Sequence, residues 1–160
     1  IGINGATDSG AAYVFKRTGS TWVNEAYLKA PNVGIPDQFG ASVSISGDTI
    51  VVGSIQESSS QTTITNGTTA AGNGANNAGA AYVYKRTGST WSNEAYLKAP
   101  NAGANDYFGF SVSISEDTIL VGAVWEASNQ TTITNGTTAS SDNTAAKSGA
   151  AYVFKRTGST

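Results

Sequence analysis

Ser9–Thr21 reads SGAAYVFKRTGST, Ala78–Thr90 reads AGAAYVYKRTGST, and Ser148–Thr160 repeats the first copy letter for letter. Gly10, Gly79 and Gly149 therefore stand 69 and 70 residues apart, and the pairs Pro31/Pro100 and Phe39/Phe108 keep the period. A fixed period of this size marks a repeat architecture, in which each unit is one supersecondary module that cannot bury its apolar faces alone. At 160 residues the chain holds little more than two such periods.

Outward from that phrase, each period reads as four strands and no helix. Phe39–Ser46 sets Phe39, Val43 and Ile45, with Ala41 between, against Gly40, Ser42, Ser44 and Ser46, an alternation of period two. Thr49–Ile55 is β-branched and mostly apolar, as expected of a strand covered on both faces. The segment Ser46-Gly47-Asp48 between them leaves room only for a tight hairpin. The third strand, Gly79–Arg86, places Tyr82 and Tyr84 on one side and Ala81, Val83 and Lys85 on the other. Through Thr87-Gly88-Ser89 it turns into the fourth, Trp91–Ala99, which ends at Pro100-Asn101-Ala102-Gly103.

Four consecutive antiparallel strands per period describe one blade of an all-β propeller. On this reading residues 1–38 supply strands three and four of a partial blade, 39–107 a complete blade, and 108–160 strands one to three of an incomplete one. Bulk on one face and Gly, Ala and Ser on the other suit face-to-face stacking, so each blade needs a neighbour to keep its apolar face dry.

Between strands two and three the chain turns polar, after Glu57 in one period and over Ala127–Lys147 in the next, and both stretches contain QTTITNGTT. Thr-Ile-Thr before Asn66-Gly67, or Asn135-Gly136, is a hairpin signal in miniature and predicts a small β-excursion from one rim. These loops also hold three Asn-x-Thr triplets, at Asn66, Asn129 and Asn135, which are candidate glycan acceptors.

Composition narrows the function. Net charge is −2 and only 12% of residues are charged, which argues against nucleic acid as a partner. The recurring pairs Lys16-Arg17, Lys85-Arg86 and Lys155-Arg156 read as solvated strand ends. With neither His nor Cys, triad chemistry, disulfides and thiolate or imidazole metal sites are excluded. Glu25 with Glu94, and Glu57 with Glu126, recur at matching positions, and a repeated acid reads as a strand-edge residue of each blade rather than a catalytic one. The expectation is therefore no enzyme and no cofactor. No apolar run approaches the length of a membrane helix and no signal peptide stands at the start. A chain that opens at Ile1 and lacks Met reads as a mature segment or a window on a longer polypeptide.

Phe39-Gly40 followed by Val52-Gly53-Ser54, and Phe108-Gly109 followed by Val121-Gly122-Ala123, resemble the FG-GAP repeats of integrin-type β-propellers. The longer phrase, from AYLKAPN through FG, SVSIS, DTI and VG to GAAYVFKRTG, looks like the bacterial branch of that family. The resemblance makes Phe39, Gly40, Gly53, Phe108, Gly109 and Gly122 the repeat motif. It implies a propeller acting outside the cell or at its surface in adhesion or ligand recognition. A calcium-binding DxDxDG-like loop is part of the integrin form, but Ser46-Gly47-Asp48 and Ser115-Glu116-Asp117 hold too few carboxylates for such a cage, so no metal is carried over. Asp37 and Asp106, just before the FG pairs, read as turn-capping residues.

Two functions follow as expectations. The first is a non-enzymatic extracellular propeller whose rim loops bind a protein or glycan. The second is a structural segment of a surface fibre or sheath built from stacked blades. In either case the partners include further copies or further repeats joined head to tail.

Overall fold

The computed structural model describes residues 7–67 and 72–158. Their secondary structure is entirely β, as the repeat pattern predicts. The ten strands are β1 (Ala12–Thr18), β2 (Thr21–Leu28), β3 (Phe39–Ser46), β4 (Thr49–Ser54), β5 (Thr65–Asn66), β6 (Ala80–Thr87), β7 (Thr90–Leu97), β8 (Phe108–Ser115), β9 (Thr118–Ala123) and β10 (Ala150–Lys155). All ladders are antiparallel. They form a two-stranded sheet β1-β2, a five-stranded sheet β3-β4-β6-β7-β5 and a three-stranded sheet β10-β9-β8.

The central sheet is a four-stranded blade with β5 added at its outer edge. Tyr82, Tyr84 and Tyr96, with Phe39, Ile50, Val52 and Ala80, face back and pack on Ala12, Val14, Leu28 and Ala30 of the preceding sheet. Val51, Ala81, Val83, Ala95 and Leu97 face forward and receive Phe108, Ile114 and Val121, with Tyr152 and Phe154 beside them. The aromatic face of each blade thus meets the aliphatic face of the one before it. Because strand side chains alternate, the two clusters share strands but not residues.

Equivalent residues acquire different surroundings according to what lies beside them. Tyr82 and Tyr84 are 0% and 4% exposed, whereas their counterparts Tyr13 and Phe15 in β1 are 60% and 56% exposed. Ile114 is 8% exposed against the central blade, but the matching Ile45 of β3 is 59% exposed, because the preceding sheet has only β1 and β2 among the described residues. The alternation in Phe39–Ser46 is therefore as expected, but Val43 and Ile45 are not buried in this chain.

In the loop after Glu57, Thr65–Asn66 pairs as a short strand with Tyr96 and Ala95 of β7, and the second arm of the miniature hairpin expected at Asn66-Gly67 lies outside the described residues. At Thr134–Asn135, where the sequence is the same, no strand forms. The β8–β10 sheet has no fourth strand among the described residues, so the second copy finds no edge to join.

Candidate functional site

The motif residues converge on the junctions between blades. Phe108 is fully buried and packs edge-on against Phe154 with ring centroids 6.0 Å apart, and Phe39 sits likewise against Tyr84 at 6.1 Å. Their backbones reach the preceding blade, where Phe39 N–H donates to the Ser9 carbonyl at 3.0 Å and Phe108 N–H to the Ala78 carbonyl at 2.9 Å. Gly40 and Gly109 take φ of +97° and +89° inside a bulge at the start of their strands, and a Cβ on either would strike the carbonyl oxygen of Ala11 or Ala80. Gly53 lets the Gly109 backbone approach, whereas Gly122 meets only Ser111 of its own blade. Five of the six motif residues, all but Gly122, therefore serve close stacking of blades.

Hydroxyls of β3 extend that contact. Ser42 Oγ donates to the Gly109 carbonyl at 2.7 Å, and Ser44 and Ser46 accept from the N–H groups of Ile114 and Glu116 at 3.2 and 3.1 Å.

Of the three Lys-Arg pairs, Lys16, Arg17 and Lys155 are exposed as the sequence suggests, but Arg86 and Arg156 are half-buried and reach the recurring acids Glu25 and Glu94. Arg86 is half-buried and donates to Asp48 at 2.8 and 2.6 Å and to Glu25 of the preceding blade at 2.9 Å. Trp91 Nε1 donates to the second Glu25 oxygen at 3.2 Å. Together the indole N–H and the guanidinium hold the Glu25 carboxyl below its ordinary range. Arg156 repeats the pattern at the next junction, reaching Asp117 at 2.6 Å and Glu94 at 3.2 Å. Arg86 and Arg156 thus each cross to an acid on the fourth strand of the preceding blade, while the turn aspartate beside each fixes the guanidinium's direction.

Glu57 and Glu126 are likewise not on strand edges. Both are 2% exposed, at the start of the long loops. Glu57 holds the buried Lys98 ammonium at 3.1 Å, and Lys98 also donates to the Gly79 carbonyl at 2.6 Å. Burial pushes the Lys98 ammonium below its ordinary pKa, against the pull of Glu57. Glu126 accepts from Asn101 Nδ2 at 2.9 Å and from the Ser128 N–H at 3.1 Å, and no cation pairs with it among the described residues. Asp37 and Asp106 close turns as expected, accepting from the Gly34 and Gly103 N–H groups at 2.6 and 2.7 Å. Burial raises the pKa of both.

At the rim one cluster escaped sequence reasoning. Tyr107 and Trp125 meet edge-on with centroids 4.7 Å apart, and the Lys147 ammonium lies 4.1 Å from the Trp125 ring centre. Tyr107 and Lys147 hold left-handed backbone conformations, with φ of 55° and 61°. Trp125 and Lys147 border a cavity of about 330 Å³ with Asn105, Asp106 and Asn143. The matching residues of the previous repeat are Gln38, Gln56 and Asn77, so the available signal was departure between aligned copies rather than repetition. The three candidate acceptors Asn66, Asn129 and Asn135 are all exposed on the long loops. Thr68, which completes the first triplet, lies outside the described residues.

The family model described as FG-GAP repeat matches residues 22–84 and again 91–154. The two matches together cover most of the chain, and each runs from the fourth strand of one blade to the third strand of the next. No curated protein matches the chain.

Proposed function

The chain belongs to the FG-GAP repeat family, whose repeats are propeller blades, and from that membership we propose that it is a non-enzymatic extracellular or cell-surface β-propeller segment that binds a protein or glycan ligand at its rim. The observation carrying this reading is the Tyr107–Trp125–Lys147 cluster. Repeats that are nearly identical in their strands replace three uncharged polar side chains with two aromatics and a cation at one rim position. An aromatic face beside amide and carboxylate groups offers a sugar ring or an extended peptide both stacking and hydrogen bonds. The bacterial, integrin-type character of the repeats rests on the long shared phrase.

The test is binding of the chain to arrayed oligosaccharides and immobilised extracellular matrix proteins. Trp125→Ala, at a half-exposed side chain, is expected to weaken the best interaction at least tenfold while leaving the melting temperature within a few degrees. Binding that ignores this substitution, or none to either panel, contradicts the rim reading.

A second reading, a structural segment of stacked blades forming a fibre or sheath, is supported by a different observation. Tyr13, Phe15, Trp22 and Tyr27 at one end, and Leu120 and Val153 at the other, are exposed where their counterparts in the central blade are covered. These ends present the two kinds of face that pack together inside the chain.

A further inference from the structure

Three rim positions change chemistry between repeats while the backbone beneath them does not. Gln38, Gln56 and Asn77 of one repeat are Tyr107, Trp125 and Lys147 of the next. The Gln56 N–H donates to the Asp37 carbonyl at 3.2 Å, and the Trp125 N–H makes the same bond to the Asp106 carbonyl at 3.2 Å. Gln38 and Asn77 hold left-handed conformations with φ of 53°, as Tyr107 and Lys147 do at 55° and 61°. The fold therefore does not require the exchange. Nor does stacking cover it, since Gln38, Gln56 and Asn77 belong to the blade packed on both faces and are half-buried rather than buried.

The cavity of about 330 Å³ beside Trp125 is rich in donors. The Lys147 ammonium lies 4.1 Å from the Trp125 ring centre, and no carboxylate pairs with it among the described residues. Asn105 Oδ1 accepts from Asn77 Nδ2 at 3.0 Å, which leaves the Asn105 amide nitrogen to donate. Asp106, the one acid bordering the cavity among the described residues, is 3% exposed and accepts from the Gly103 N–H at 2.7 Å. The N–H groups of Asn105 and Tyr107 are tied across the blade junction to the Asn76 and Asn77 carbonyls at 2.8 and 3.1 Å, so the site is held in place before a ligand arrives. One free ammonium, amide donors and an indole wall suit a ligand with a single carboxylate, hydroxyls and an apolar ring face. Phosphate or sulfate calls for clustered cations or successive backbone N–H groups instead.

We propose that the cavity between Trp125 and Lys147 recognises the uronic acid units of an acidic polysaccharide. Lys147 holds the sugar carboxylate, the exposed part of the Trp125 indole packs on the apolar face of the pyranose ring, and Asn105 and Asn143 bond its hydroxyls. Tyr107, edge-on to Trp125, keeps the indole in position. A run of acidic residues in a peptide would satisfy Lys147 but brings no ring to Trp125. The proposal rests on the rim-binding reading and names its ligand class.

The test is a calorimetric titration of the full chain with galacturonate and mannuronate trimers, each beside its neutral methyl ester, and with a hexaglutamate peptide. At least one acid trimer is expected to bind at least tenfold more tightly than its ester. Lys147→Gln should abolish that preference without moving the melting temperature by more than a few degrees, whereas Trp125→Ala should weaken acid and ester alike. An ester that binds as well as its acid, a preference that survives Lys147→Gln, or hexaglutamate that binds as tightly as the trimers overturns the proposal and leaves the rim reading standing. Failure of both trimers to bind overturns it too; if a neutral glycan or a matrix protein still binds through Trp125, only the ligand class is lost.

Discussion

At the scale of single residues, glycine is where this fold is most exacting and also most legible. Gly79 and Gly149 hold the same backbone conformation, φ of +81° and +76°, in nearly the same sequence. A Cβ on Gly79 collides with the Phe108 backbone, whereas on Gly149 the nearest heavy atom is the Val124 carbonyl oxygen at 3.3 Å. Both Gly→Ala changes incur the left-handed cost of about 1–2 kcal/mol, but only Gly79→Ala also forces two blades apart. Chemical denaturation should therefore show Gly79→Ala the more destabilising of the two by at least about 2 kcal/mol, in the range of overpacked cores. Equal losses would mean that conformation alone demands these glycines. The FG glycines were legible because only close approach explains small residues at fixed period. The Arg86–Glu25 and Trp91–Glu25 contacts were not, since an acid and a base 61 residues apart carry no local signal.

At the scale of elements, the strands were readable from alternation and turn residues, and the four-strand order followed from their number per period. What alternation could not tell is which strands have neighbours. Val43 and Ile45 carry the same pattern as Val112 and Ile114 but lie open. The pairing of the loop strand β5 was not legible for a related reason, since its Thr-Asn pair takes an edge offered by β7, distant in sequence. Burial of β6 and β7 has a consequence at high pH. Tyr82, Tyr84 and Tyr96 have pKa values pushed up chiefly by desolvation. Above their ordinary value of 10.0 the unfolded chain releases protons that the folded chain retains, so stability present below pH 10 is lost as pH rises further. Each tyrosine contributes a slope approaching about 1.4 kcal/mol per pH unit. Lys98, shifted down by burial, acts in the opposite sense just below its ordinary 10.5, but it is one group against four, since Tyr152 is raised as well. The melting temperature should hold from about pH 7 to 9 and fall steeply above about pH 10, less steeply in Tyr84→Phe. An unchanged slope in that variant would contradict the assignment.

At the scale of the whole molecule, three copies of one strand phrase sit in three settings. β1 is exposed on its aromatic side, β6 is covered on both faces, and β10 is covered on one face and, among the described residues, pairs only with β9. Stacking rather than strand sequence is thus what makes each copy stable, and fully covering an aromatic or aliphatic side chain contributes about 1.5–3 kcal/mol. The repeat and its family were evident from sequence because periodicity is preserved letter by letter. The rim cluster at Trp125 was hidden because it exists only as a difference between copies.

Amide hydrogen exchange of the three copies in dilute monomeric chain tests this most directly, since near-identical sequences make their intrinsic rates nearly equal. Slow exchange across Ala80–Thr87, with exchange faster by at least tenfold across Ala12–Thr18 and Ala150–Lys155, is the predicted result. Equal protection in all three would show that the strands need no neighbouring blade, and would contradict the account.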